Sequence, residues 1–530
     1  MSTIEVTPEL NMKLGEATSA VRPHARKYLP YLVFAFCFSF YFLPLLRLLL
    51  QPLTDEGTLL EGAVRIVDGQ LLGRDFFEVV GPGTFYWLAL FFKLFGVTFL
   101  ASRICLFVSS LATALSIYFL SRRVCRGYQV LPCIFVFATY FCFQGPAISH
   151  HVDSNCFALL AVVCMVLWQD VHKSWLLIAA GALAGATILT MQPKGILLLF
   201  AFLVWLWIQY RRQSTPLTAL AWVAGGCCGV VAPMLGYFWS RGALGDLIYA
   251  NVVWPSQNYG AVNSVHYASG ILGFFNHWIV PGHRVNWTVG MAAVLVIPLF
   301  FVAALPALVL LLGARVGVKA IRAEIALYWL AGSALWFSEL HRKDISHLVI
   351  GSPLLVILCV FYLQQRRNKG FRLALQSLSV TSVCLAACTL ILALVARPTM
   401  TRVGQIRMIA HDPVPTVIDE HVPPGGDIFI YPYSPMYYFL SDTTNPTRYS
   451  FAVYNYYTAS QFGEIIRSLD QHRVKYVLWD KHLQDKLFEQ FPNSRPEHFI
   501  MEPYLEAHYK PIWTRDGIFL MERKNDGHGN

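Results

Sequence analysis

The stretch QPLTDEGTLLEGAVRIVDGQLLGRDFFEVVGPGTFYWLALFFKLFGVT, residues 51–98, decides how this chain is organised. It follows the first long apolar run, and the adjacent carboxylates Asp55 and Glu56 stand a few residues beyond the end of that run. Ionised groups close to a bilayer surface have to be solvated, paired or used in chemistry. The pair therefore predicts a loop at a membrane surface that carries a functional site.

The composition excludes an ordinary soluble protein. Of 530 residues, 56% are hydrophobic and 14% are charged, whereas about 25% are charged in a typical soluble domain. The chain is therefore expected to be an α-helical polytopic membrane protein. Its net charge of +10 does not indicate nucleic-acid binding, because the cations lie between apolar runs instead of on one basic face.

Apolar runs predict about eleven transmembrane helices, since each crossing needs about 20 mostly apolar residues. The runs lie near 28–50, 99–121, 130–148, 154–170, 175–191, 196–210, 217–239, 287–312, 325–340, 348–364 and 374–396. Residues 1–27 are then a polar tail, and residues 28–397 form the transmembrane domain.

Lys and Arg in the short loops orient the chain, because such residues stay on the cytoplasmic side. Every second loop is basic, which makes the tail at 1–27 cytoplasmic and the C-terminal part external. The loops expected outside are 51–98, 149–153, 192–195, 240–286 and 341–347.

Residues 398–530 have the composition of a soluble domain. Strand-like runs at 427–431, 474–479 and 517–522 alternate with helical patterns at 402–420, 459–472, 481–491 and 497–509. This alternation predicts a small external α/β domain. We expect it to cover the active site or to receive the acceptor, since it has neither a glycine-rich phosphate loop nor a nucleophile elbow.

The loop at 51–98 also carries a family resemblance. It opens with DEG, continues through a short amphipathic segment at 56–69 that we expect along the outer surface, and reaches G-x-x-x-x-R-D-F-F, GPG and an aromatic helix. This order resembles the polytopic GT-C glycosyltransferases, in particular the bacterial branch related to protein O-mannosyltransferases and aminoarabinose transferases. The segments HHVDSN (150–155), QPKG (192–195) and HRKDISHLVIGSP (341–353) fit the family less specifically.

The resemblance implies a GT-C fold and an enzyme of the bacterial inner membrane. Such an enzyme transfers a sugar from a polyprenyl-phosphate donor to a hydroxyl of a lipid, glycan or protein acceptor on the external side. This chemistry needs a base near the attacking oxygen and cations for the departing phosphate. Membrane lipid is the other expected partner, and nucleic acid is not one.

Asp55 is the residue we expect to act as general base, by its family match and its position. Glu56 would orient Asp55 or help to bind a metal. The alternative is that the pair caps the helix that follows, because acids are favoured at a helix N-terminus.

Asp75 matches a second family position in the loop and would shape it or meet the donor headgroup; the alternative is a turn residue bonded to its own backbone. His150, His151 and Asp153 are a compact candidate substrate site or partial ligand set for a divalent cation, Mg or Mn. Their spacing is not diagnostic of a metal, and a solvated polar turn is the alternative reading.

Cations near the external ends of later spans are candidates for binding the donor phosphate. Lys194 lies in the QPKG turn, and its compact ammonium group suits a monophosphate. The alternative is a lysine whose aliphatic stem is buried while its ammonium group reaches water. The loop at 341–347 is unusually basic for an external loop and contributes Arg342, Lys343 and His347. The alternative for these loop residues is ion pairing with Glu339 or Asp344.

Two other classes remain open. A transporter or flippase would explain the many spans, although no inverted repeat is evident in the sequence. A scaffold protein with a binding tail would need neither Asp55 nor the external cations. Within the enzyme class, an oligosaccharyltransferase that uses a diphosphate-linked glycan resembles the chain less.

Overall fold

The computed structural model describes residues 48–50, 55–259, 304–316, 322–365, 369–454, 456–490 and 499–525. The predicted tail at 1–27, most of the first predicted span and the first part of the span near 287–312 lie outside the described residues.

α-Helices make up most of the described chain up to Val395. They are α1 (Glu56–Val67), α2 (Pro82–Phe95), α3 (Phe99–Val124), α4 (Leu131–Gln144), α5 (His150–Val171), α6 (Ser174–Thr190), α7 (Gln192–Arg211), α8 (Thr218–Ser240), α9 (Leu244–Ile248), α10 (Leu305–Val316), α11 (Ala323–Phe337), α12 (Ile345–Ile350), α13 (Pro353–Gln365) and α14 (Lys369–Val395). The π-helical segments Tyr249–Val253 and Pro255–Tyr259 follow α9. We call this part the membrane domain.

Four of the described helices, α3, α5, α7 and α8, are long and apolar enough to cross a membrane. Shorter apolar helices, among them α6, α11 and α13, pack against them. Each span predicted between residues 99 and 239 and between 325 and 396 coincides with helical structure. The membrane-domain architecture is therefore as predicted, while the total of eleven spans stays a prediction.

The structure corrects the loops predicted at 149–153 and 192–195. Residues 150–153 form the first turn of α5, after Ser149 accepts a hydrogen bond from the backbone N–H of His151 at 3.2 Å. Residues 192–195 likewise begin α7, with proline near its N-terminus. Hydropathy assigned these polar residues to loops, but here they are helical because buried partners satisfy their side chains.

The two ends of the membrane domain differ in what they contact. At one end, the Phe99 N–H at the start of α3 donates to the Val403 carbonyl at 2.9 Å, which joins α3 to the C-terminal part of the chain. At the other end of α3, Arg123 pairs with Asp170 at 2.8 Å and with Glu324 at 2.6 Å. We call these the proximal end and the distal end.

The C-terminal domain, described from Arg397 onward, is a small α/β unit. Its strands are β1 (Arg397–Thr401), β2 (Gly404–Met408), β3 (Ile428–Tyr431), β4 (Tyr476–Asp480), β5 (Tyr509–Arg515) and β6 (Ile518–Arg523). Its helices are α15 (Val414–His421), α16 (Met436–Leu440), α17 (Ala459–Gln471), α18 (Lys481–Gln490) and α19 (Met501–His508). Strands β3 to β6 form one sheet in the order β3-β4-β6-β5, with β3 parallel to β4 and the other pairs antiparallel.

The three predicted strands of this domain are confirmed, but the helical pattern at 402–420 is wrong over its first half. Residues 404–408 form β2, which pairs with β1 in a separate hairpin. The Leu50 N–H donates to the Arg407 carbonyl at 2.8 Å, and the Arg407 N–H donates to Leu48 at 2.9 Å. A distant segment therefore supplies the strand pairing that local periodicity does not report.

The helix predicted at 56–69 forms as α1, but it does not lie free on the outer surface. It packs between α2 and α16 of the C-terminal domain. A Cβ atom on Gly57 would lie only 2.3 Å from the backbone nitrogen of Met436, so the glycine of the DEG motif permits this contact. Arg65 donates to the Thr447 carbonyl at 2.9 Å, so the polar side of α1 is buried by the C-terminal domain.

Candidate functional site

Glu56 is buried at the centre of the proximal end. It forms an ion pair with Arg103 of α3, whose Nη2 lies 3.1 Å from Glu56 Oε2. The Ile148 N–H, just before α5, donates to Glu56 Oε1 at 2.9 Å. Arg103 Nη2 also donates to the Leu49 carbonyl at 3.0 Å. Glu56 thus joins the first loop to α3 and to the start of α5, and its carboxylate is enclosed by protein groups.

Asp55 stands in the opposite environment, exposed at the junction of the first loop and the C-terminal domain. It occupies the N-cap position of α1 but makes no side-chain capping hydrogen bond. Instead, Tyr433 of the C-terminal domain donates its hydroxyl to Asp55 Oδ1 at 2.9 Å. Burial and the nearby Asp55 charge raise the pKa of Tyr433 well above its usual range. The Asp55 carboxylate is therefore open to solvent, with the Tyr433 hydroxyl as its hydrogen-bond donor among the described residues.

Glu78 is an acid that sequence reasoning did not single out. It lies in the loop between α1 and α2, is 3% exposed, and its Oε1 has no hydrogen-bond partner among the described residues. Burial raises the pKa of Glu78 to about 8, with the negative charges of Glu61 and Asp55 adding to the effect. The sequence signal for Glu78 was its position inside the apolar run FFEVV, directly before GPG. An acid in apolar surroundings has to be paired or protonated.

Asp75 bonds within its own loop. It accepts hydrogen bonds from the Leu71 N–H at 2.7 Å and from Arg74 at 2.8 Å, and these donors, Arg74 above all, lower the pKa of Asp75. Arg448 of the C-terminal domain donates to the Gly73 carbonyl at 2.6 Å beside it. This geometry fits the alternative in which Asp75 is a turn residue bonded to the backbone of its own loop.

Lys194, Glu339 and His151 form a buried ion cluster, which we call the proximal cluster. Lys194 Nζ lies 2.7 Å from Glu339 Oε1, and His151 Nδ1 lies 2.9 Å from Glu339 Oε2. Lys194 also donates to Ser154 Oγ at 3.0 Å. Because Lys194 and Glu339 are both fully buried, the lysine charge is compensated inside the protein. Sequence reasoning proposed Glu339 only as a partner for the neighbouring loop cations.

Histidine rings extend the proximal cluster. The His151 ring centroid lies 4.0 Å from that of His150 and 4.6 Å from that of His347. His347 Nδ1 lies 2.7 Å from Asp344 Oδ1, so His347 is held by an acid of its own loop. Three segments that are distant in sequence, at α5, α7 and 341–347, therefore meet at the proximal end.

Arg342 and Lys343 differ from Lys194 because both are only half-buried. Arg342 Nε lies 3.5 Å from Asp344 Oδ2. Burial alone would raise the pKa of Asp344, but the positive charges of His347 and Arg342 outweigh that effect and hold the pKa well below its usual range. The ion pairs of Arg342 and His347 with Asp344 match the alternative reading, in which these loop cations pair with nearby acids. The exposed parts of Arg342 and Lys343 face solvent.

Asp153 points away from the histidines. Its Oδ1 accepts a hydrogen bond from Ser109 of α3 at 2.8 Å. Within the part of the chain that the structure describes, no group of three or more His, Cys, Asp or Glu side chains is arranged to hold a metal ion. The residues around His150, His151 and Asp153 therefore do not fit a three-ligand site for Mg or Mn.

Tyr433 connects the two halves of the candidate site. Its hydroxyl binds Asp55, and its pKa is also affected by the opposing charges of Glu78 and Arg342. The first loop, the 341–347 loop and the C-terminal domain consequently share one polar neighbourhood. A more deeply placed layer lies beside this neighbourhood and contains Lys194, His150, His151 and Asp153. Asp75 lies in the adjoining first loop.

One family model and one solved structure agree with this architecture. The model of the dolichyl-phosphate-mannose-protein mannosyltransferase family matches residues 79–237. The crystal structure of ArnT from Cupriavidus metallidurans bound to undecaprenyl phosphate aligns with a TM-score of 0.57 and 12% identity, over 94% of this chain and 99% of that one. The apo-state structure of the same protein aligns with a TM-score of 0.43 and 13% identity, over 93% and 97%. No curated protein sequence matches the chain.

Proposed function

We propose that the chain is a polytopic membrane glycosyltransferase that transfers a sugar from a polyprenyl-phosphate donor to an acceptor hydroxyl, with Asp55 as general base. The match of residues 79–237 to a mannosyltransferase family model and the ArnT-like fold support this class. The observation that carries this proposal is the geometry of Tyr433, which binds Asp55 at 2.9 Å and lies within the influence of Arg342. Tyr433 thus links the open carboxylate of Asp55 to the charge of the half-buried Arg342.

In the proposed reaction, Asp55 accepts the proton of the acceptor hydroxyl while the hydroxyl oxygen attacks the anomeric carbon of the sugar. The bond between that carbon and the phosphate oxygen breaks, and polyprenyl phosphate leaves with the electron pair. A positioned general base contributes about 10²- to 10⁴-fold to such a step. Asp55 suits this role because it is exposed, whereas Glu56 next to it is enclosed by Arg103 and the Ile148 amide.

Arg342 and Lys343 are our candidates for binding the departing phosphate. Arginine recognises phosphate through two parallel N–H donors, and both residues keep part of their side chains exposed. Lys194 and His347 would contribute indirectly. Lys194 fixes the start of α7 to the end of α11 through Glu339, and His347 fixes α12 through Asp344. No step of the proposed reaction passes through a divalent cation.

Similarity supports the proposed donor class and location. The ArnT structure holds undecaprenyl phosphate, which supports a polyprenyl-phosphate partner for this chain as well. We place the protein in a bacterial inner membrane with the proximal end and the C-terminal domain outside, as the loop charges predict. The acceptor, whether lipid, glycan or protein, would then approach along the junction of the two domains.

The test is a transfer assay with purified protein and a panel of radiolabelled polyprenyl-phosphate sugars. We expect Asp55→Asn to lower kcat by about 10²- to 10⁴-fold with an unchanged unfolding temperature. The matched control is Asp68→Asn, at an exposed acid that ends α1 and lies outside the proposed site. An Asp55→Asn variant as active as Asp68→Asn would remove the base assignment, and transfer from none of the donors would remove the donor class.

A further inference from the structure

A polar cavity lies at the distal end of the membrane domain, far from the candidate active site. Its volume is about 500 Å³, and four arginines line it: Arg123, Arg126, Arg322 and Arg372. Helix α3 is 26 residues long and connects the proximal contact at Phe99 with this end. At about 1.5 Å per residue, the two sites are separated by roughly 40 Å.

Two of the four arginines are neutralised within the protein. Arg123 pairs with Asp170 at 2.8 Å and with Glu324 at 2.6 Å. Arg322 pairs with Glu324 at 3.1 Å. These contacts tie α3, α5 and α11 together, so this wall of the cavity carries little net charge.

The other two arginines have no counter-charge among the residues that the structure describes. Arg126 and Arg372 are both exposed, and neither guanidinium forms a hydrogen bond or ion pair with another described residue. Both nevertheless line the same concave surface. Like charges that converge on one cavity repel each other, and an anion between them removes that cost.

The backbone around Arg126 is fixed in place. Gln364 accepts a hydrogen bond from the Arg126 N–H at 2.9 Å and donates to the Val124 carbonyl at 3.0 Å. Phe361 and Leu375 add apolar surface to the same cavity. The cavity therefore presents guanidinium groups beside an apolar wall at the end of the transmembrane helices.

We propose that this distal cavity binds the phosphate-bearing headgroup of an anionic membrane lipid, through Arg126 and Arg372. Guanidinium groups bind phosphate oxygens in pairs, and basic pockets between transmembrane helices on the cytoplasmic side suit such headgroups. The apolar wall formed by Phe361 and Leu375 would contact the acyl chains. The orientation predicted from the loop charges places this cavity at the cytoplasmic leaflet.

The contrast with Arg211 and Arg212 separates a binding site from simple topology signals. These two residues end α7 at the same distal end, and they are exposed, but they do not line the cavity. A charge bias that served orientation alone would need no shared concave surface. Arg211 and Arg212 therefore provide a matched control with the same number of removed charges.

The experiment measures thermal unfolding of the full-length protein in neutral detergent while phosphatidylglycerol, phosphatidylcholine or inorganic phosphate is added. We expect phosphatidylglycerol to stabilise the wild-type protein and the Arg211→Ala/Arg212→Ala variant, and phosphatidylcholine to have a much smaller effect. In Arg126→Ala/Arg372→Ala, the apparent affinity for phosphatidylglycerol should fall at least about tenfold, the loss expected for about 1.4 kcal/mol of binding free energy.

Other outcomes decide between the sources of the phosphate. Equal protection by inorganic phosphate, lost in Arg126→Ala/Arg372→Ala, would assign the cavity to a free phosphate and overturn the lipid. Equal responses of both double variants to phosphatidylglycerol would overturn the site. If Arg126→Ala/Arg372→Ala does not fold, the fallback variant is Arg126→Lys/Arg372→Lys. It keeps both positive charges but removes the paired N–H donors of the guanidinium groups. An affinity of this variant for phosphatidylglycerol equal to that of wild type would contradict paired guanidinium contacts.

Discussion

Asp55 and Glu56 are adjacent and carry the same functional group, yet the fold gives them opposite surroundings. Asp55 is exposed and meets the C-terminal domain through Tyr433. Glu56 is buried and bound to Arg103 and to the Ile148 amide. The difference shows that a pair of carboxylates read from sequence as one motif can divide into a group open to solvent and a group that joins helices.

The cations of the proximal end divide in the same way. Lys194 is fully buried and lies 2.7 Å from Glu339, so its charge is balanced within the protein. Arg342 and Lys343 are half-buried on the loop that follows α11. The buried charge is therefore balanced between helix ends, whereas the two loop cations keep part of their side chains at the surface.

The largest expected effect comes from breaking the Glu56 ion pair. Glu56→Ala leaves Arg103 buried without its counter-charge, which we expect to cost about 3–5 kcal/mol of unfolding free energy. Thermal unfolding in detergent measures the loss, with Asp55→Asn as the control that keeps wild-type stability. The division between the two acids fails if Glu56→Ala is as stable as Asp55→Asn.

Glu78 gives an effect that depends on pH. Its folded-state pKa of about 8 lies above the ordinary value of 4.5, so the folded protein holds this proton more tightly than the unfolded chain. The resulting stability is present below pH 4.5 and is lost as the pH rises through 8. We expect Glu78→Gln, which cannot ionise, to be more stable than wild type at pH 9, by up to a few kcal/mol.

The measurement for Glu78 is the unfolding temperature of both proteins between pH 5 and pH 9. The difference between Glu78→Gln and wild type should grow from pH 5 to about pH 8 and level off above it. Glu506→Gln, at an exposed acid on the C-terminal domain, is the control that should track wild type. A constant difference at every pH would mean that Glu78 is ionised in the folded protein.

The smallest expected effect tests the contact across the domain junction. Tyr433→Phe removes the hydrogen bond to Asp55, and a hydrogen bond to a charged group contributes about 1.5–3 kcal/mol. We expect kcat to fall at least about tenfold, with little change in the KM for the donor, because the residue positions the base and does not bind the donor.

Tyr437→Phe is the matched control for Tyr433→Phe. Tyr437 is also a tyrosine of the C-terminal domain whose hydroxyl donates to an acid, Asp412, at 2.7 Å. This variant should keep wild-type kcat. Equal losses in both variants would indicate a general effect on the domain and not a specific action on Asp55.

Much of the membrane domain could be predicted because burial in lipid imposes a local signal. Runs of apolar residues located the helices from α3 to α8 and from α11 to α14, and alternating patterns located β3, β4 and β6. The exceptions have tertiary causes. His151 and Lys194 look like loop residues until Glu339 is placed between them, and β2 needs Leu48 and Leu50 as partners.

The sequence by itself determined the class of protein, the helical segments and the loop at 51–98 as the place of the candidate site, since these depend on composition and short-range periodicity. Only the tertiary structure decided that Glu56 is a buried ion-pair partner, that Tyr433 binds Asp55, and that Glu78 is an enclosed acid. The physical reason is that the environment of a charge depends on groups brought together by folding, often hundreds of residues apart in the chain.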